Sequence, residues 1–283
     1  MTDLGYHCNR LRHIEQRLVP YDLKRGEFFH FPEEELPGLQ AAIRENEYLV
    51  SIHAPLLRPE WYPDPPTWAF LCDEDMDKRQ LNLKMIEATL EMAPDYGAEY
   101  VVVHFPAPMS KPAPWLSYER QQDIALESAD RLAELSVRYK IPLHIEGFGP
   151  SPFLNVEFLG QVMREFDVLR YCFDVAHLHL AAQRDGFDYS DFAEGIAPHL
   201  GSVHLWNVRT MDDYRAYRHI PVHPSQKPEE GWVDIPHILG ILKRGRPSIP
   251  VILESARDYP EALGGLDSRE GVQWVKELLA TSY

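Results

Sequence analysis

The chain has 283 residues, 45% hydrophobic and 25% charged, a balance typical of a folded enzyme domain and unlike that of a disordered or fibrous chain. Its 28 basic and 44 acidic side chains leave a net charge of −16, which counts against a positive face wrapped on nucleic acid. No apolar run reaches the roughly 18–20 residues a bilayer span needs. The opening MTDLGYHCNRLRH has no apolar core of a secretion signal, and Cys8, Cys72 and Cys172 form neither a disulfide framework nor a CxxC pair. The expectation is a reduced, cytoplasmic setting with no membrane partner.

In chain order, residues 3–8 read as a short first strand. A basic stretch follows at 9–26, where Arg10, Arg12, Arg17, Lys24 and Arg25 face only Glu15 and Asp22. It reads either as a solvated loop or as a rim for a substrate phosphate, with Arg12 and Arg17 as the substrate-binding candidates. FFHF (28–31) is expected as the second strand, 37–47 as a helix and YLVSIH (48–53) as the third strand. A Pro- and Trp-rich loop spans 56–75. The apolar spacing of Leu81, Met85, Ile86 and Leu90 predicts a helix over 77–96, ended by Gly97.

YVVVHF (100–105) reads as a strand buried on both faces. Residues 106–117 are a loop and 118–140 a long helix. PLHIE (142–146) is the next strand, followed by a helix at 156–166, a strand at 169–174 and a helix at 188–200. SVHLW (202–206) is a strand and 207–232 the longest loop. A helix at 234–244, a strand at PVILE (250–254) and a helix at 268–280 complete the series. About eight strands alternate with helices and no Gly-rich phosphate loop follows the first strand, so the fold class is α/β, a single (β/α)8 TIM barrel over 1–283. The first two units are its weakest part, because little helical periodicity separates the first two strands.

The strand ends carry the chemistry. His53, His104, Glu146, Asp174, His204 and Glu254 are the last polar residues of six consecutive strands. A barrel brings C-terminal strand ends to one mouth, so residues distant in sequence become one ring of candidate ligands. In the stretch Tyr171–Ala182, YCFDVAHLHLAA, Asp174 is either such a ligand or the N-cap of the next helix, with His177 in its first turn. Alternation places Cys172 with Asp174 on one face, and Ile252 with Glu254. Mixed carboxylates and imidazoles suit Zn²⁺, Mn²⁺, Co²⁺ or Fe²⁺ better than Ca²⁺. Five tryptophans (Trp61, Trp68, Trp115, Trp206 and Trp232) fall in expected mouth loops or at a strand end, where they either stack on a ligand ring or pack the loops together.

SIHAP, VVVHF, IEG, CFDVAH, HLWN, HIPVH…EEGWVDI and VILE, in that order and spacing, resemble the xylose isomerase-like TIM barrels, which include endonuclease IV and sugar isomerases and epimerases. The resemblance covers nearly all of residues 48–255. It implies Glu146, Asp174, His204 and Glu254 as the shared metal ligands. It implies a further site of His53, His104 and Glu146, and a third from His177 with one histidine of the long loop. His223, in PVHP before EEGW, is the favoured loop ligand and His219 its rival.

Two departures separate the chain from the endonucleases, which carry an Asp-Arg-His string in that loop and a tyrosine three residues after the first histidine. Here the position two before His223 is Pro221, the position two before His219 is Tyr217, and Leu56 stands where the tyrosine would be. The favoured expectation is therefore a divalent-metal-dependent isomerase or epimerase of a small sugar, keto-sugar or sugar phosphate. One to three ions bind per chain, Glu146 and Glu254 exchange the proton, and His177 and Trp206 meet the substrate. The alternative is an endonuclease IV-like multi-zinc hydrolase of abasic DNA. A homo-oligomer is compatible with either.

Overall fold

The computed structural model describes residues 3–106 and 116–281, so Trp115 lies outside the described residues. Eight parallel strands close in sequence order into one barrel: β1 (Leu4–Cys8), β2 (Arg25–Phe28), β3 (Leu49–His53), β4 (Ala98–His104), β5 (Leu143–Glu146), β6 (Leu169–Asp174), β7 (Leu200–Leu205) and β8 (Val251–Leu253). The helices are α1 (Leu11–His13), α2 (Leu36–Asn46), α3 (Met76–Met92), α4 (Tyr118–Tyr139), α5 (Val156–Glu165), α6 (Val175–Asp185), α7 (Tyr189–Ile196), α8 (Met211–Tyr217), α9 (Ile235–Gly245) and α10 (Ser268–Ala280). Among the described residues no helix is long and apolar enough to cross a membrane.

Local chemistry sets the boundaries. Asp75, Ser117, Asn155, Asp188 and Asp234 each cap a helix by accepting backbone N–H bonds in its first turn. Gly97 and Gly186 end helical segments at φ of 65° and 76°, a left-handed conformation glycine adopts without a Cβ penalty. Outward strand residues such as Val101, Val103, Ile145 and Phe173 are buried under the helices. Burying each such side chain contributes roughly 1.5–3 kcal/mol.

The first βα unit departs from the ideal, as its weak periodicity implies. Three residues of α1 run into a five-residue π-helix (Ile14–Leu18) and a 3₁₀ turn (Val19–Tyr21) before the chain enters β2. β2 itself is Arg25–Phe28 rather than 28–31. The apolar run FFHF is not the strand, because Arg25 and Glu27 turn inward and find partners, Glu27 inside the barrel and Arg25 at its floor. The long loop also holds a helix not expected from its sequence, α8, capped by the Thr210 hydroxyl.

The paired residues of adjacent parallel strands share a face. His7 pairs with Glu27, Glu27 with Ser51, His53 with Val102, His104 with Glu146, Glu146 with Cys172 and Asp174 with His204. All of these face the barrel interior. Deeper along the same inward face, Tyr100 stacks on His144 with ring centroids 4.0 Å apart, and His144 bonds the Ser202 hydroxyl at 3.0 Å. Lower still, Arg25 closes the floor against Asp3 and Glu99.

Candidate metal centre at the barrel mouth

Glu146, Asp174, His204 and Glu254 come from the ends of β5, β6, β7 and β8. Each offers one ligand atom within 4.8 Å of the others. His204 is the hub. Its Nδ1 lies 3.0 Å from Glu254 Oε2 and 3.5 Å from Glu146 Oε2, and its Nε2 lies 2.8 Å from Glu27 Oε1. Yet His204 Nδ1, His204 Nε2, Glu27 Oε1 and Glu254 Oε2 are all buried without an aligned hydrogen bond. Carboxylates converging at close range on one buried imidazole, with these atoms out of hydrogen-bond alignment, form a ligand set that could close around a cation, since buried polar atoms otherwise find aligned partners.

Asp174 takes the helix-cap role foreseen for it and also stands in the candidate ligand group. Oδ1 accepts the His177 backbone N–H at 2.6 Å and caps α6, while Oδ2 accepts the Trp206 indole N–H at 2.9 Å. Its carboxylate is thus aimed by two donors, as outer partners aim a metal ligand. Burial, then the charges of Glu146 and Glu254, push its pKa up to about 8. Burial also opposes ionisation of Glu146 and Glu254, but the imidazole of His204 beside both overrides it and holds them below the usual carboxylate range. Burial acts to lower the His204 pKa, and Cys172, Glu27, Glu146 and Glu254 outweigh it and raise it well above the ordinary value.

A second group shares Glu146. His53 Nε2 lies 3.2 Å and His104 Nε2 3.5 Å from Glu146 Oε2, and the three form another cluster of ligand atoms within 4.8 Å. Backbone carbonyls, which can only accept, fix both tautomers: His53 Nδ1 donates to Ala54 and His104 Nδ1 to Thr67. Both Nε2 atoms are left to face the ring. Burial, together with the nearby His53, pushes the His104 pKa down to about 4, so its ring is neutral.

The aromatic wall beside the ring contains His177, Trp206, Tyr214 and His219. His177 lies 5.0 Å from Trp206 and 5.6 Å from His219, ring to ring. His219 is the loop histidine at the site. It stacks on Trp206 at 4.2 Å, and its Nδ1 donates to the Glu254 carbonyl at 2.7 Å, which leaves Nε2 as the free nitrogen. His223, favoured from the sequence, lies off the ring. Its Nε2 pairs with Glu270 on α10 at 2.9 Å and its Nδ1 contacts Ser225. The reason is the antiparallel bridge of Asn207 to Ile220, which pins the loop beside the end of β7 and carries His219, not His223, over the mouth.

Trp206 also takes a place other than the expected one. It is fully buried, donates to Asp174 and is covered by His219, so it orients a candidate ligand rather than lining open space. Trp232 is buried too, against the Arg209 guanidinium, whereas Trp61 and Trp68 are partly exposed in the loop after β3. The basic stretch does not form one rim. Arg25 lies at the opposite end of the barrel, Arg17 donates to the His7 carbonyl and sits over Tyr6, and Arg12 is exposed.

Sequence reasoning missed Glu27 and His7. Glu27 accepts from the Ser51 hydroxyl at 3.1 Å and sits against His204, while His7 lies under His53 at 6.1 Å, its pKa pushed by burial down to about 4. Alternation on β1 and β2 would have shown both, had β2 been placed three residues earlier.

Comparison with known proteins agrees with this architecture. No curated protein matches the chain. Among solved structures, a D-tagatose 3-epimerase-like protein superposes with a TM-score of 0.72 at 17% identity, covering 98% of this chain and 97% of its own. An L-ribulose 3-epimerase gives 0.71 at 14%, covering 99% and 95%. The TTHB071 protein of Thermus thermophilus, soaked with ZnCl2, gives 0.66 at 19%, covering 99% of each chain. Residues 11–278 match the family described as xylose isomerase-like TIM barrel, and the chain belongs to that family.

Proposed function

We propose that the protein is a divalent-metal-dependent sugar epimerase or isomerase acting on a small keto-sugar. The observation that carries this reading is the convergence of Glu146, Asp174, His204 and Glu254 at one mouth, where ligand atoms of His204 and Glu254 have no aligned hydrogen bond. The names of the neighbouring structures, D-tagatose 3-epimerase-like and L-ribulose 3-epimerase, support a ketose as the substrate class. A Zn²⁺ or Mn²⁺ ion held by these four residues would supply Lewis-acid polarisation of a carbonyl and so acidify the adjacent C–H.

The chain's own groups supply the proton chemistry. Glu146 and Glu254 are three strands apart, on either side of His204, and both are ionised. One, as the carboxylate, accepts the proton from the carbon beside the carbonyl; the other, having first taken up a proton from solvent, returns it to the opposite face. Each turnover leaves the proton on the opposite carboxylate, and exchange with solvent resets the pair. A return to the same carbon inverts it, and a return to the former carbonyl carbon isomerises the sugar. His177 and His219 wall one side of this space and orient substrate oxygens. His53 and His104, with fixed tautomers, present nitrogens from the other.

The cluster of His53, His104 and Glu146 favours the second reading, an endonuclease IV-like hydrolase with several zinc ions. Against it stand the charge of −16, Tyr217 in place of a carboxylate two residues before His219, and Leu56, which is fully buried. The deciding experiment follows ketopentoses and ketohexoses in D₂O by NMR, with metal-loaded protein. The proposal requires deuterium at the carbon beside the carbonyl together with a new epimer or aldose. No exchange with any ketose, combined with cleavage of an abasic duplex, would reverse the ranking.

A further inference from the structure

The other end of the barrel carries a feature the mouth chemistry does not use. A cavity of about 490 Å³ opens beneath β5 and β6, lined by Lys140, His144, Arg170 and Arg246 together with small and apolar side chains. Among the described residues no Asp or Glu lines it, in a chain whose net charge is −16. The basic groups come from separate segments: the end of α4, the strands β5 and β6, and the turn after α9. Their convergence is therefore a product of the fold and not of one basic run in the sequence.

The charges are held but not neutralised. Arg170 donates to the carbonyls of Asp167 and Leu169, and Arg246 to that of Leu200. A carbonyl accepts a hydrogen bond without cancelling the guanidinium charge. His144 is buried against Tyr100, its Nδ1 is taken by Ser202, and its ring is part of the cavity lining. Gly201 makes room for that ring: a Cβ there would stand 2.6 Å from His144 Nε2 and 2.6 Å from Arg170 Cβ.

We infer that this floor cavity binds a small phosphate-bearing anion, either inorganic phosphate or a phosphomonoester. Two guanidiniums offer forked donors to its oxygens, the Lys140 ammonium offers a point charge, and the buried imidazole edge closes the inner end. The site is independent of the metal centre and of the activity proposed for it.

The test is calorimetric titration of the intact protein with inorganic phosphate and, separately, with glucose 1-phosphate, at constant ionic strength. The wild type is expected to bind one equivalent saturably. Tighter binding of the sugar phosphate assigns the cavity to phosphomonoesters; equal or weaker binding assigns it to free phosphate. The Lys140→Asn/Arg170→Gln variant should bind at least about tenfold more weakly, the scale of losing charged hydrogen bonds. The Arg12→Ala/Arg17→Ala pair at the other end should bind like the wild type. Lys140 is exposed at φ 56°, a conformation Asn tolerates, so Lys140→Asn alone carries the test if the double variant does not fold. Absence of saturable binding, equal affinity in the floor variant, or loss of binding in the Arg12/Arg17 pair each overturns the proposal.

Discussion

At the barrel floor, Arg25 divides its guanidinium between Asp3 and Glu99 and lies across the Tyr100 ring. At the mouth, further along the strands, Glu27, Glu146, Asp174 and Glu254 crowd around the single hub of His204. Both regions bury charge, but they resolve it differently. The floor matches a cation to carboxylates that keep some solvent, with Asp3 and Glu99 side chains 26% and 46% exposed. The mouth gathers carboxylates that are almost sealed and leaves key atoms without aligned donors. One buried cation matched to its own carboxylates reads as architecture; several buried carboxylates sharing one imidazole, with atoms left out of hydrogen-bond alignment, read as a place prepared for a ligand.

Substitutions on either side of this contrast should separate the two roles. The largest expected effect is at Glu254. Glu254→Gln should lower the epimerisation rate by about 10²–10⁴-fold, the range for a lost acid–base group, while circular dichroism and thermal melting stay near those of the wild type. Full activity in that variant would remove Glu254 from the proton path.

Glu27→Gln comes next. The residue touches no expected substrate, yet its Oε1 lies 2.8 Å from the far nitrogen of His204, and removal of such an outer partner typically weakens metal binding by about 10–100-fold. Titration of Mn²⁺ into chelator-treated protein reads this directly. An unchanged affinity would make Glu27 a packing residue.

Arg25→Met should do the reverse. Its partners are partly solvated, so the loss should fall below that of a fully buried pair, at about 2 kcal/mol of stability, measured by urea unfolding. Mn²⁺ affinity should not move. If it falls as far as in Glu27→Gln, floor and mouth are not separable.

The smallest effect is set by pH. With a pKa of about 8 in the metal-free protein, Asp174 carries a proton at pH 7 that ligation must expel. Affinity for Mn²⁺ should therefore rise with pH below about 8, by up to about tenfold per unit from this group. Calorimetry in two buffers of different ionisation enthalpy should show proton release at pH 7. A buffer-independent heat would contradict the raised pKa.

Much of this was legible in the chain. The barrel follows from Val- and Ile-rich runs such as YVVVHF and PVILE, and the ring follows from the polar residue at the end of each. Glu27 was not legible, because a strand that starts Arg-Gly-Glu breaks the apolar pattern and is explained only by partners on β3, β7 and the floor. The choice between His219 and His223 was not legible either. It depends on where the long loop after β7 re-joins the sheet, and the Asn207–Ile220 bridge that decides this leaves no periodic signal. For Asp174 the sequence offered helix cap and candidate ligand as competing readings; Oδ1 caps α6, and Oδ2, which accepts from Trp206, leaves the carboxylate within the candidate ligand group, so the two readings are compatible.

The most direct test of the metal centre is a crystal structure of protein loaded with Mn²⁺, with anomalous diffraction locating the ion. The account predicts a peak bounded by Glu146, Asp174, His204 and Glu254. A peak only between His53 and His104, or none in the barrel mouth, would contradict it.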